Sequence, residues 1–137
     1  MFVVDTNVVS ELRRRRKAHP KVMAWAVDTA VGSLYLSAIT VLELEWGALL
    51  TERKDKKQGA ILRAWLDENV LPQFDGRILP VDTAVARRCA QLHAPDPLSQ
   101  HDALIAATAL VHGMTVVTRN TRDFARTHVA VLNPWDE

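Results

Sequence analysis

Short apolar runs separated by segments of helical length constrain the fold of this chain more than any other feature. Phe2–Val4, Ser33–Ser37, Arg77–Val81, Thr115–Thr118 and Val129–Leu132 are too short for helices and read as strands. Helices are expected over Val8–Arg13, Pro20–Ala30, Thr40–Leu50, Ala60–Val70, Thr83–His93 and Asp102–Val111. The punctuation agrees with these spans. Pro20 suits a first helical position, Gly32 and Gly113 suit helix ends, Asp82 caps Thr83, and Pro95-Asp96-Pro97 forces a break. The charged stretch Glu52–Lys57 parts the third helix from the fourth. Strands separated by helices argue for a parallel sheet covered on both faces. The expected fold class is therefore α/β, a three-layer α/β/α sandwich with a mostly parallel central sheet. A chain of 137 residues fits a single domain, residues 1–137.

Composition then narrows the function. Seventeen Lys and Arg against sixteen Asp and Glu give a formal charge of +1, so no global field draws the protein to nucleic acid or membrane. The single cysteine, Cys89, excludes a disulfide scaffold and a four-cysteine zinc site. It shares an apolar helical stripe with Ala84, Val85, Ala86 and Leu92 and reads as a packing residue. Met1-Phe2-Val3-Val4 runs straight into Asp5 without a basic leader or a long apolar stretch, which gives the expectation of a cytoplasmic protein with no membrane segment. The glycine-rich nucleotide cradles and the Gly-x-Ser-x-Gly elbow are absent. His19, His93, His101, His112 and His128 are scattered and read as surface or capping residues; His101 stands apart only because it adjoins Asp102.

In open parallel sheets, sites form beyond the carboxyl ends of the strands, where strand order reverses. Asp5, Thr6 and Asn7 follow the first strand, and Glu43 lies in the first turn of the helix after the second. Asn120 and Asp123 follow the strand ending at Thr118, and Asp102 opens the helix leading into that strand. Each acid also has a local role available. Asp5 suits an Asx turn, Glu43 a capping box with Thr40, Asp102 a helix dipole, and Asp123 a turn begun by Asn120. Gathered at one sheet end without paired cations, however, four carboxylates raise one another's pKa and oppose ionisation. A divalent cation relieves that cost, and an all-oxygen donor set suits Mg²⁺ or Mn²⁺.

The run Arg13-Arg14-Arg15-Arg16-Lys17 reads as a solvated surface or, beside an acidic pocket, as a contact for a polyanionic backbone. An alternative function keeps only this run: a non-catalytic nucleic-acid or protein-binding module whose acids are caps. A phosphotransfer domain would need a second Asp two residues past Asp5, where Asn7 stands, or a Lys after a late strand, where Thr118-Arg119 stands. Trp25, Trp46 and Trp65 fall on expected helices and read as core or protein interface.

Four blocks, in order, carry a family resemblance: Val4-Asp5-Thr6-Asn7-Val8-Val9-Ser10-Glu11, Ser37-Ala38-Ile39-Thr40-Val41-Leu42-Glu43-Leu44, Asp102-Ala103-Leu104-Ile105-Ala106-Ala107-Thr108-Ala109 and Thr118-Arg119-Asn120-Thr121-Arg122-Asp123-Phe124. With them the chain resembles the PIN-domain ribonucleases over essentially its whole length, and within them the toxin components of VapBC-type toxin–antitoxin pairs. The resemblance implies a metal-dependent endoribonuclease that hydrolyses RNA phosphodiester bonds. It implies that Asp5, Glu43, Asp102 and Asp123 bind Mg²⁺ or Mn²⁺, with Thr6, Asn7, Thr118 and Asn120 as polar neighbours that orient carboxylates or waters. It also implies a cognate antitoxin as inhibitor and a homodimeric toxin; neither partner follows from composition or spacing.

Overall fold

A computed structural model describes residues 1–136. The chain runs β1 (Phe2–Val4), α1 (Thr6–Arg13), α2 (Pro20–Asp28), β2 (Leu34–Ser37), α3 (Ala38–Lys54), α4 (Lys56–Trp65), α5 (Leu71–Gln73), β3 (Ile78–Leu79), α6 (Thr83–His93), α7 (Gln100–His112), β4 (Thr115–Val117) and β5 (Val131–Leu132). A π turn, Leu66–Val70, joins α4 to α5, and 3₁₀ turns cover Arg15–Lys17, Val31–Ser33 and Thr121–Thr127. The strands form one sheet in the order β3-β2-β1-β4-β5, with every pair parallel. β1 is central, with Val3 opposite Tyr35 on one side and Val116 on the other.

The two-residue period of a strand splits the core between the faces of the sheet. Val4 and Val117 pack with Val8, Val22, Leu36, Leu66 and Val70, whereas Val3 and Val116 pack with Ile39, Ile105, Ala106 and Phe124. A smaller cluster of Val85, Cys89, Ala103 and Ala107 ties α6 to α7, so Cys89 is a packing residue. This is the three-layer architecture expected of the strand and helix alternation. Among the described residues, no helix is long and apolar enough to cross a membrane.

Helix ends differ from the sequence reading for identifiable reasons. α1 begins at Thr6 rather than Val8, because the Asp5 carboxylate accepts from the Thr6 N–H at 2.8 Å and caps it. α3 spans Ala38–Lys54 rather than Thr40–Leu50, because the Ser37 hydroxyl accepts from the Ile39 N–H. Thr40 thus lies inside the helix, buried, with a hydroxyl that has no partner among the described residues, and the Thr40–Glu43 capping box does not form. The charged stretch Glu52–Lys57 is helical on both sides of one residue, Asp55, whose side chain caps α4. α2 stops at Asp28, and Gly32 sits in a 3₁₀ turn instead of ending that helix. β3 contracts to Ile78–Leu79, since Pro80 has no N–H to give to the ladder.

Gly59 sets the closeness of α3 and α4. A Cβ there would stand 2.4 Å from the Glu52 Cα, a backbone atom with nowhere to go. Alanine is the better helix former by about 1 kcal/mol, yet Gly59→Ala is expected to destabilise the protein by about 1–3 kcal/mol through overpacking. The urea midpoint should fall at an unchanged m-value; a midpoint at or above that of the parent would refute the tight approach.

Candidate active site

Strand order changes direction at β1, which has β2 on one side and β4 on the other. Beyond the carboxyl ends of β1 and β4 the chain turns outward, as the switch point of a parallel sheet requires. Asp5 is held there by its backbone N–H, which donates to the Val117 carbonyl at 2.9 Å. It is only 6% exposed. Its Oδ1 accepts from Thr6 N–H, and its Oδ2 accepts from the Thr118 hydroxyl at 2.8 Å and from Asn7 Nδ2 at 3.3 Å. The Thr118 oxygen in turn accepts from the Asn120 N–H at 3.0 Å and from Asn7 Nδ2. Asn7 Oδ1 accepts from the Arg119 N–H, tying the start of α1 to the end of β4.

Glu43 arrives from α3 and is gripped at both oxygens. The Thr6 hydroxyl donates to Oε1 at 2.6 Å, and His101 Nδ1 lies 3.3 Å from Oε2. Asp102 sits in the first turn of α7, and Asp123 sits in the 3₁₀ turn that Phe124, 1% exposed, anchors in the core. Among the described residues, none of Asp5, Asp102 and Asp123 forms an ion pair with Lys or Arg.

The electrostatic consequence is direct. Burial pushes the Asp5 carboxyl above its ordinary value, Glu43 and Asp123 push the same way, and the Thr118 and Thr6 hydrogen bonds oppose them. Asp102 is raised by burial and then by the charges of Asp5 and Asp123, with a Ser99 hydrogen bond opposing. No three Asp, Glu, His or Cys side chains among the described residues stand as a ready-made ligand group. The donor set nonetheless fits a hard divalent cation. It is all oxygen, it carries uncompensated negative charge, and Mg²⁺ keeps several waters and needs only one or two carboxylates directly.

Raised carboxyl values fix a sign for stability. Between the ordinary Asp value near ~3.9 and the raised values, the folded chain binds more protons than the unfolded one. Metal-free stability from Asp5 and Asp102 therefore grows as pH falls through the raised values, and is lost as pH rises through them. In EDTA, Asp102→Asn should melt a few degrees above the parent at neutral pH, with a gap that closes on acidification. A gap independent of pH would contradict the raised carboxyl.

Thr6, Asn7 and Thr118 bond Asp5, Glu43 joins through Thr6, and the charges of Asp5, Asp123 and Glu43 reach Asp102. Asn120 joins through its backbone N–H. Two neighbours were missed. His101 reaches Glu43 across 58 positions of sequence, its only sequence signal being adjacency to Asp102; Arg119 is fixed beside the site, and its signal was a cation directly after Thr118. The basic run is divided in space. Arg14 pairs with Glu11, whereas the Arg13 guanidinium lies 5.7 Å from the Trp65 ring centroid. Trp25 and Trp65 are half-buried against the core, and Trp46 is 55% exposed.

Among the described residues, a fully parallel α/β sandwich with carboxylates free of Lys and Arg partners beyond its central strands defines an α/β domain with an acidic cluster at its switch point. The PIN-domain family model matches residues 2–129, and the chain belongs to that family. It is 41% identical to "Toxin FitB" of Neisseria gonorrhoeae, covering 100% of both chains, and 41% identical to "VapC ribonuclease Y4jK" of Sinorhizobium fredii, covering 99% of both. The crystal structure of FitAcB from Neisseria gonorrhoeae superposes with a TM-score of 0.91 at 40% identity, covering 100% of each chain.

Proposed function

We propose that the protein is a metal-dependent endoribonuclease, the toxin of a toxin–antitoxin pair, which hydrolyses RNA phosphodiester bonds at the Asp5 cluster. The observation that carries this is four carboxylates from four elements near one sheet end, three of them without a basic partner among the described residues. A relative named as a ribonuclease and one named as a toxin, each over nearly the whole chain, support the reading.

Asp5 and Asp102 would hold Mg²⁺ or Mn²⁺ in this reading, with Asp123 and Glu43 completing the negative field. When bound, the cation acidifies water and neutralises charge on the phosphate. The residues do the rest. Thr118 and Thr6 fix the Asp5 carboxylate, so its orientation costs nothing at the moment of reaction. Glu43 has both oxygens engaged and serves to orient; Asp123, exposed and held through its backbone, is the carboxylate that takes a proton from the attacking water.

The partners in this reading are an antitoxin and a second copy of the chain. Leu42, Trp46, Leu49 and Leu50 form an exposed apolar stripe at helical spacing along α3 that suits a homodimer. Trp46→Glu should then give a monomer by light scattering. The buried thiol of Cys89 suits a reducing, cytoplasmic setting.

The test is cleavage of a pool of labelled RNAs by purified protein in Mg²⁺, Mn²⁺ or EDTA. Cutting restored by adding either ion back to the chelated protein is expected. Cutting indifferent to EDTA, or none with any ion, overturns the nuclease and leaves the binding-module alternative built on Arg13–Lys17.

A further inference from the structure

Asn7, Glu11 and Arg14 are spaced four and three residues apart and so lie along one face of α1 and its end. At about 1.5 Å per residue, this stripe leads roughly 10 Å away from the acidic cluster. It ends at a cleft of about 350 Å³ lined by Glu11, Arg14, Lys17, His19, Arg119 and Trp135. Glu11 belongs to the wall. Its side chain is 11% exposed, and it accepts from Arg14 Nη1 at 3.1 Å and from the His19 N–H at 2.8 Å. His19 Nδ1 accepts from the Lys21 N–H, which leaves Nε2–H as a donor. Among the described residues, three cations and one engaged carboxylate line the cleft, in a chain whose overall charge is nearly balanced.

Arg119 is fixed twice. Its N–H donates to Asn7 Oδ1 at 3.2 Å, and its guanidinium lies 5.2 Å from the Trp135 ring centroid. A guanidinium held in this way loses little freedom when it takes a phosphate through two parallel hydrogen bonds. The acidic cluster by itself repels a nucleic-acid backbone, and a fixed cation on the next residue after Thr118 offsets that repulsion.

We infer that this cleft is a subsite for the backbone of single-stranded RNA, in which Arg119, Lys17, Arg14 and His19 hold two successive phosphates flanking the one cut at the Asp5 cluster. The inference rests on the nuclease reading and divides the basic run. Arg14 and Lys17 face the RNA subsite, whereas Arg13 and Arg15 line a separate cavity of about 690 Å³ among Trp25, Trp65 and Phe74.

The test uses Asp5→Asn protein, which is expected to bind RNA without cutting it, and a labelled single-stranded RNA titrated at several salt concentrations. Adding Lys17→Ala and Arg119→Ala together should weaken binding about 100-fold at low salt. The plot of log affinity against log salt should become shallower by about 1.4, or about 0.7 for each phosphate of a single strand that is no longer neutralised. Arg53→Ala, an exposed cation in the last turn of α3, should change binding less than twofold. Should the double variant melt below assay temperature, Lys17→Ala alone, at an exposed position, gives the same reading at about half the change in slope. Unaltered affinity and slope in the cleft variants, or an equal loss from Arg53→Ala, overturns the subsite. Cleavage by the parent protein is scored separately. A parent that cuts RNA while the cleft variants bind unchanged overturns only the subsite, and a parent that never cuts overturns the nuclease.

Discussion

Asp5→Asn is expected to lower metal-dependent RNA cleavage by about three orders of magnitude while leaving the protein folded. The loss follows from removing the carboxylate at the centre of the cluster: about 4 kcal/mol of transition-state stabilisation corresponds to about a 10³-fold rate. The fold is spared because asparagine is as good an N-cap as aspartate, and its side-chain oxygen can still accept from the Thr6 N–H that opens α1. The substitution also removes a charge that burial and Glu43 and Asp123 oppose. A melting temperature near that of the parent with activity gone is the expected pair of results. An Asp5→Asn protein that cuts at the parent rate sinks the assignment of this site.

What the sequence made legible is local. Asp5 and Thr118 stand where strands end, where chain punctuation is strongest, and outside the site α6 spans Thr83–His93 as read from its Asp82 cap and apolar stripe. The contacts that complete the site are not local. His101 meets Glu43, and Arg119 lies over Trp135, only because the strand order β3-β2-β1-β4-β5 brings distant segments to one edge. No periodicity encodes that order. The capping box at Thr40 and Glu43 failed for a related reason. A serine three residues earlier could start the helix, and once Ser37 did so, Glu43 lay a turn and a half into α3, where it is held by Thr6 and His101. The basic run, uniform in sequence, divides in space because consecutive residues on a helix end face different ways.

Thr118→Val tests whether a neutral side chain governs the cluster. Thr118 is fully buried, and its hydroxyl donates to Asp5 and accepts from Asn120 and Asn7. Valine fills the same volume without the hydroxyl, so packing is kept while Asp5 Oδ2 is left with the long Asn7 hydrogen bond alone. Leaving a buried charged acceptor short of a donor costs about 2–3 kcal/mol, to be read as a lower urea midpoint. The same change removes the largest influence holding the Asp5 carboxyl down, so it moves further above its ordinary range, and metal affinity should weaken about 10- to 100-fold with activity. Thr118→Ser separates these effects from packing. It keeps the hydroxyl, forfeits about 0.8 kcal/mol with the buried methyl group, and should recover most of the cleavage rate. A valine variant with the parent's stability and rate would mean that Asp5 needs no fixed orientation. The site would then be a field of charge rather than a built geometry.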